Sequence, residues 1–253
     1  MRTPFIAGNW KMHKTVEESV EFARGLLKAL GDFNGVEVAV APPFTALRPV
    51  AEALEGSSIR LAAQNTFWED SGAYTGEISG PMLVGAGCSH VIIGHSERRQ
   101  LFGETDATVN KRLFAALAAG LHPIMCIGET LEMRNDGKTF DVVASQLDAG
   151  LTNVGADQME SVVIAYEPVW AIGTGITATP EQAEEVHHLI RNSLAETRGM
   201  ALAQKTRILY GGSVKPDNIG DLMACENIDG ALVGGASLQV DSFAAIVGFN
   251  KGS

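Results

Sequence analysis

"SVVIAYEPVWAIGTGITATPEQ", Ser161 to Gln182, contains one whole unit of the fold. Val162 to Tyr166 is a near-continuous apolar run, as expected of a parallel strand covered on both faces. The run ends in Glu167, which Pro168 restricts to extended backbone. A loop of small residues with two glycines follows, and then Thr179-Pro180-Glu181-Gln182 starts a helix. Its signals are a capping threonine, a proline in the first turn, and an acid and an amide behind them. The order is strand, loop, helix.

Seven other runs have the same character: "FIAGNW" from Phe5, "VEVAVAP" from Val36, "IRLAAQN" from Ile59, "HVIIGHS" from His90, "HPIMCIGE" from His122, "RILYGGS" from Arg207 and "GALVGGAS" from Gly230. Helical patterns lie between runs, over Glu17 to Leu30, Thr105 to Ala119, Thr139 to Leu151 and Thr179 to Glu196. The first shows Val20, Ala23, Leu27 and Leu30 on one stripe. Eight strand-plus-helix units in 253 residues predict an α/β fold, a (β/α)8 barrel of eight parallel strands with outer helices. An open doubly wound sheet is the competing architecture. It commonly carries a Gly-x-Gly-x-x-Gly turn after its first strand, and here that strand runs into "AGNWKMHK". With no linker or low-complexity segment in view, residues 1–253 read as a single barrel domain.

Composition agrees with a large core, since 45% of the residues are hydrophobic. Glycine accounts for 28 of the 253 residues, well above the roughly 7% of average proteins, and the excess falls in loops after strands. A net charge of −11 argues against a nucleic-acid or anionic-membrane partner. An anionic substrate would therefore need a locally positive site, which screening over roughly 8 Å permits. Cys88, Cys126 and Cys225 are an odd, sparse set, suited to a reducing compartment. The apolar run near Met1 is too short for a signal peptide, and Leu113 to Ile127 is too short to span a bilayer. We expect a cytoplasmic protein.

Active sites of such barrels sit at the C-terminal ends of the strands. Residues there include Asn9, Lys11, Gln64, Asn65, His95, Ser96, Glu97, Cys126, Glu129 and Glu167. Lys11 could hold an anion, form a Schiff base, or be an ordinary surface lysine. His95 follows Gly94, and "SERR" can start a helix whose N-terminus favours a neutral ring. Glu167 could be a salt-bridged rim residue. Pro168 and the bulk of Trp170 point instead to a desolvated carboxylate, hence a stronger base. "YGGSVKPDN" and "LVGGASL" can turn backbone N–H groups toward a phosphate. "GAYTGEIS", Gly72 to Ser79, with Phe67, Trp68 and Tyr74, reads as an interface loop, and Cys126 and Glu129 of "CIGET" read as structural.

Taken in order, "GNWKM", "GHSERR", "CIGET", "AYEPVWAIGTG", "YGGSV" and "LVGGASL" resemble the triosephosphate isomerase family along the whole chain. The resemblance implies interconversion of dihydroxyacetone phosphate and glyceraldehyde 3-phosphate through an enediolate. It implies Glu167 as the base, His95 as a neutral electrophile, and Lys11 with Asn9 facing phosphate and developing oxyanion. Gly173, Ser213, Gly234 and Gly235 would donate backbone N–H groups to the phosphate. Neither a metal nor an organic cofactor is implied. The family is usually a homodimer, with Thr75 reaching toward the neighbouring site. A neutral histidine and a closing loop are part of the family's description. One departure is Ile176, at a loop hinge where many members carry lysine. Two other readings use the same barrel. A Schiff-base aldolase-type enzyme would employ Lys11 and leave His95 and the loop idle. A non-catalytic sugar-phosphate-binding protein would have no use for Glu167.

Overall fold

Strands form where the continuous apolar runs predict them: β1 (Phe5–Asn9), β2 (Glu37–Ala41), β3 (Arg60–Ala63), β4 (His90–Ile93), β5 (His122–Ile127), β6 (Val163–Tyr166), β7 (Ile208–Tyr210) and β8 (Gly230–Val233). They pair in chain order, all parallel, and β8 closes on β1 with Gly230 opposite Phe5. The computed structural model describes residues 2–31, 33–173 and 177–249. The hinge residue Ile176, with Thr174 and Gly175 of the loop tip, lies outside them.

Closure explains why the runs are not alternating. Phe5, Ala7, Ala39, Ala41, Ala62, Ile92, Ile124, Cys126, Val163, Ala165, Leu209 and Leu232 form one buried cluster, the barrel interior. The residues between them, such as Ile6, Val38, Val40, Ile93, Met125 and Ile164, pack outward against helix residues including Phe22, Leu26, Leu113, Val143 and Ile190. Each such aliphatic side chain stabilises the fold by about 1.5–3 kcal/mol on full burial. The interior parity then continues upward. Asn9 lies two residues beyond Ala7, Gln64 beyond Ala62, Glu167 beyond Ala165, Gly211 beyond Leu209 and Gly234 beyond Leu232. The strands thus aim this set at the C-terminal mouth.

The long helices run over Val16–Leu30, Asp106–Ala118, Thr139–Gly150 and Pro180–Arg198. Thr179 caps the last through a reciprocal bond with Gln182, the start signal read from sequence. The buried stripe of Val16–Leu30 is rotated from the predicted one. Phe22, Ala23, Leu26 and Leu30 are buried, whereas Val20 and Leu27 are only partly so. Phe22 meets Trp10 edge-on, ring centroids 4.8 Å apart, and this contact sets the buried face.

Two histidines are buried below the mouth and held neutral. His187 of Pro180–Arg198 is pushed down to about 3 by burial, with Nδ1 3.3 Å from the Asn227 carbonyl. Burial also pushes His90 down to about 4, against the attraction of Glu37. The folded-state values lie below the ordinary value of roughly 6.5, so between these pH values the unfolded chain binds more protons. Stability is therefore full above pH 6.5 and falls as the pH drops. From pH 7 to pH 5 His187 alone is expected to remove about 2 kcal/mol of unfolding free energy. Urea unfolding at the two pH values checks this. Equal stability, or a slope unchanged in His187→Gln, would contradict the assignment.

Candidate active site

A cavity of about 650 Å³ opens at the mouth and is lined by Asn9, Lys11, His95, Glu167, Gly173, Ser213, Gly234 and Gly235. The residues that the resemblance gives to the reaction and to the phosphate all line it, and Thr75 does not. Thr75 sits exposed in the loop after β3. The base of that loop packs on itself, with Phe67 stacked on Trp68 at 4.1 Å and tilted against Tyr74 at 4.7 Å.

The backbone around Lys11 is held from both sides. Lys11 adopts φ 52°, the left-handed region that non-glycine residues seldom enter. Its N–H donates to Asn9 Oδ1 at 3.0 Å, and its carbonyl accepts from Gln64 Nε2 at 2.8 Å. Gln64 also donates to the Ala41 carbonyl at 2.8 Å, which ties the turn to β2. The Lys11 ammonium lies 2.6 Å from Glu97 Oε1. Neither Gln64 as a clamp nor Glu97 as a partner was deduced from sequence, where both register only as polar residues beyond a strand.

His95 caps the Ser96–Leu101 helix, as "SERR" predicts. Gly94 before it has φ 67°, and a Cβ there would meet Val109 at 2.9 Å. Glycine is required on both counts. The Glu97 N–H donates to His95 Nδ1 at 3.2 Å, so a neutral ring carries its proton on Nε2. That nitrogen is 3.0 Å from Glu167 Oε1, while Glu167 Oε2 accepts from the Ser96 N–H at 2.9 Å. The base candidate thus rests on the helix N-terminus and the imidazole together.

This pairing corrects two electrostatic expectations. Burial of Glu167 does raise its pKa, but the His95 ring, the Ser96 N–H and Lys11 together outweigh it and hold the carboxyl below its ordinary range. Burial likewise favours neutral His95, yet the Glu167 carboxylate outweighs it and raises the ring's pKa. Both directions express one coupling, the 3.0 Å contact. Cys126, inside the barrel beneath Glu167, has its thiol held protonated by burial first and by Glu167 second.

Around Glu167 the backbone is packed tightly. A Cβ on Gly128 would lie 1.8 Å from the Glu167 carbonyl oxygen, and one on Gly211 would lie 2.8 Å from Glu167 Cγ. Glu129 does have the hydrogen-bonding role expected of it. It accepts from Tyr166 Oη at 3.1 and 3.2 Å and from Trp170 Nε1 at 2.8 Å, with Arg134 at 3.5 Å. The first turn of the loop after β6 is therefore anchored to the end of β5. Gly173 has φ 68° and is exposed at the cavity edge.

Comparison with known proteins places this geometry. The family model described as triosephosphate isomerase matches residues 4–250. A triosephosphate isomerase of Geotalea uraniireducens is 57% identical over 251 residues, covering 99% of this chain and 100% of that one. One of Pelobacter propionicus is 58% identical over 249 residues, covering 98% and 99%. The crystal structure of triosephosphate isomerase from Bartonella henselae superposes with a TM-score of 0.90 at 42% identity, covering 98% of this chain and 99% of that one.

Proposed function

The chain belongs to the triosephosphate isomerase family and interconverts dihydroxyacetone phosphate and D-glyceraldehyde 3-phosphate, and from that premise we propose that Glu167, His95, Lys11 and Asn9 carry the reaction. The observation that supports these roles is the meeting of a buried carboxylate and an imidazole, 3.0 Å apart, in a cavity shared with Lys11 and two glycine loops.

The backbone N–H groups of Gly173, Ser213, Gly234 and Gly235 hold the phosphate. Lys11 offsets its charge against the protein's net −11. A substrate this small has few other atoms to grip, so phosphate binding supplies energy used at the reacting carbons. The carbonyl oxygen accepts from His95 Nε2–H and from Asn9. Glu167 leaves the Ser96 N–H, turns to the carbon beside that carbonyl and takes its proton. Once it has turned, burial and the helix N-terminus remain at His95, and both favour the neutral ring. Negative charge on the resulting enediolate is met by His95 and Lys11. His95 gives its Nε2 proton to the former carbonyl oxygen and takes one from the hydroxyl on the adjacent carbon, and Glu167 returns its proton to the former carbonyl carbon, which completes the exchange of aldehyde and ketone. The loop after β6 excludes water, in which the enediolate would lose phosphate.

A Schiff-base route through Lys11 fits less well, because an ammonium paired with Glu97 at 2.6 Å offers no lone pair to a carbonyl. Borohydride added during turnover of dihydroxyacetone phosphate is expected to leave the chain's mass unchanged. An adduct on Lys11 would overturn the assignment.

The functional unit in this reading is a cytoplasmic homodimer. In support, Met12 is 95% exposed beside Lys11, and Tyr74, Met82 and Val84 are exposed near the loop that carries Thr75. Large apolar side chains left exposed beside a projecting loop are the kind that an interface covers. Sedimentation of the wild-type chain should give twice the 26.8 kDa monomer mass, and Thr75→Arg should shift it toward monomer with loss of activity. A fully active wild-type monomer would contradict the dimer.

A further inference from the structure

Beyond the mouth residues, one side chain on an outer helix reaches the seat of the base. We propose that Gln146, on the helix Thr139–Gly150, is a positioning residue for Glu167, acting through Gly128. The Gly128 N–H donates to Gln146 Oε1 at 2.7 Å, and Gln146 Nε2 donates to the Gly128 carbonyl at 3.3 Å. One side-chain amide thus holds both polar groups of one backbone residue. Only one orientation of the amide serves both bonds, since its oxygen cannot donate and its nitrogen cannot accept.

Gly128 is where the base rests. Beyond the paired residues of β5 and β6, the Glu167 N–H donates to the Ile127 carbonyl at 2.8 Å and the Val169 N–H to that of Glu129 at 3.1 Å. Gly128 lies between these two bonds. It packs so close under the Glu167 carbonyl that no side chain fits there. A shift of Gly128 therefore carries the Glu167 backbone with it. There is room for such a shift: a cavity of about 190 Å³ is lined by Gln146, Gly128, Ser96, Glu167 and Val169. Beside this cavity the amide's two bonds hold Gly128 in place. The hydrogen bonds of Gln146 go to Gly128, which is not among the residues proposed to contact substrate, so its loss should alter the chemical step and spare binding.

The proposal rests on Glu167 being the base, so Glu167→Gln is measured alongside. Steady-state constants with glyceraldehyde 3-phosphate, competitive inhibition by inorganic phosphate, and thermal midpoints are taken for each protein. Gln146→Met keeps volume and removes both hydrogen bonds. It is expected to lower kcat about 10-fold, as displacement of a reacting group by a fraction of an ångström does. KM and phosphate inhibition should stay within about twofold of the wild type. Gln146→Glu keeps the 2.7 Å acceptor bond and should fall between Gln146→Met and the wild type. It also keeps the proposal testable should the methionine variant fail to fold. Wild-type kcat in Gln146→Met overturns the proposal, as does a loss shared equally by kcat, phosphate binding and thermal midpoint. If Glu167→Gln itself turns over normally, the assignment of the base falls, and the proposal with it. If Glu167→Gln is inactive while Gln146→Met is unaffected, the proposal alone falls.

Discussion

Glu167→Gln is expected to lower kcat by roughly 10²–10⁴-fold, the range that a positioned general base contributes. The substitution keeps side-chain length, so the contacts of Gly128 and Gly211 with the Glu167 backbone and Cγ survive. It removes the charge that His95 Nε2 faces at 3.0 Å and the anionic acceptor of the Ser96 N–H. An amide oxygen can still accept one of those bonds, and so the fold and the phosphate loops should be retained. KM and inhibition by inorganic phosphate are then expected to change little while turnover collapses. Glutamate removed from its partners also predicts a pH signature. In the wild type the carboxyl lies below its ordinary range, so ionisation of the free enzyme's base should not limit activity above roughly pH 4.3. An acid limb of kcat/KM near pH 6 then belongs to the substrate phosphate, whose second ionisation falls there, or to His95, whose pKa the Glu167 carboxylate raises. A limb unmoved by Glu167→Gln is the phosphate's, one that moves down is the imidazole's, and one set by the Glu167 carboxyl itself would count against this.

The second large effect is expected at Lys11. Lys11→Met removes the cation of the mouth and leaves the Glu97 carboxylate, its partner at 2.6 Å, without a counter-charge beside an anionic substrate. Removing one preorganised donor to developing negative charge costs about 2.7–4 kcal/mol, so kcat/KM should fall by about 10²–10³-fold. Part of that loss is repulsion from Glu97 rather than loss of lysine itself. The double variant Lys11→Met with Glu97→Gln should therefore recover some affinity for inorganic phosphate. Steady-state kinetics of both variants test this. A single variant within tenfold of the wild type, or a double variant that binds phosphate worse than the single, would contradict the role given to the pair.

Much of the architecture was legible because its cause is local. A strand buried on both faces must be apolar at successive positions, as Val163 to Tyr166 are, and Thr179 with Gln182 writes a helix start in four residues. Asn9 and Glu167 could be placed at the mouth for the same reason, since they follow apolar strands directly. Contacts that join distant segments left no such trace. Lys11 and Glu97 are 86 positions apart, and Gln64 reaches a carbonyl 53 positions away. Gln146 sits in a helix whose periodicity reports only its buried stripe of Val143 and Leu147. The charge state of the His95–Glu167 pair depends on where the Glu167 carboxylate points, a rotamer choice made by the Ser96 N–H. Burial and helix position are readable from sequence. The 3.0 Å contact that outweighs them is a property of the folded chain.

Central to all of this is a proton carried by Glu167 between two adjacent carbons. The direct measurement is isomerisation of glyceraldehyde 3-phosphate in deuterium oxide, with mass and proton spectra of the dihydroxyacetone phosphate formed. Proton transfer through an enediolate predicts solvent deuterium at the carbon that was the aldehyde, in wild-type product and in no detectable amount over the same time with Glu167→Gln. Product formed at the wild-type rate with all its carbon-bound protium retained would mean hydride migration, and would contradict the account.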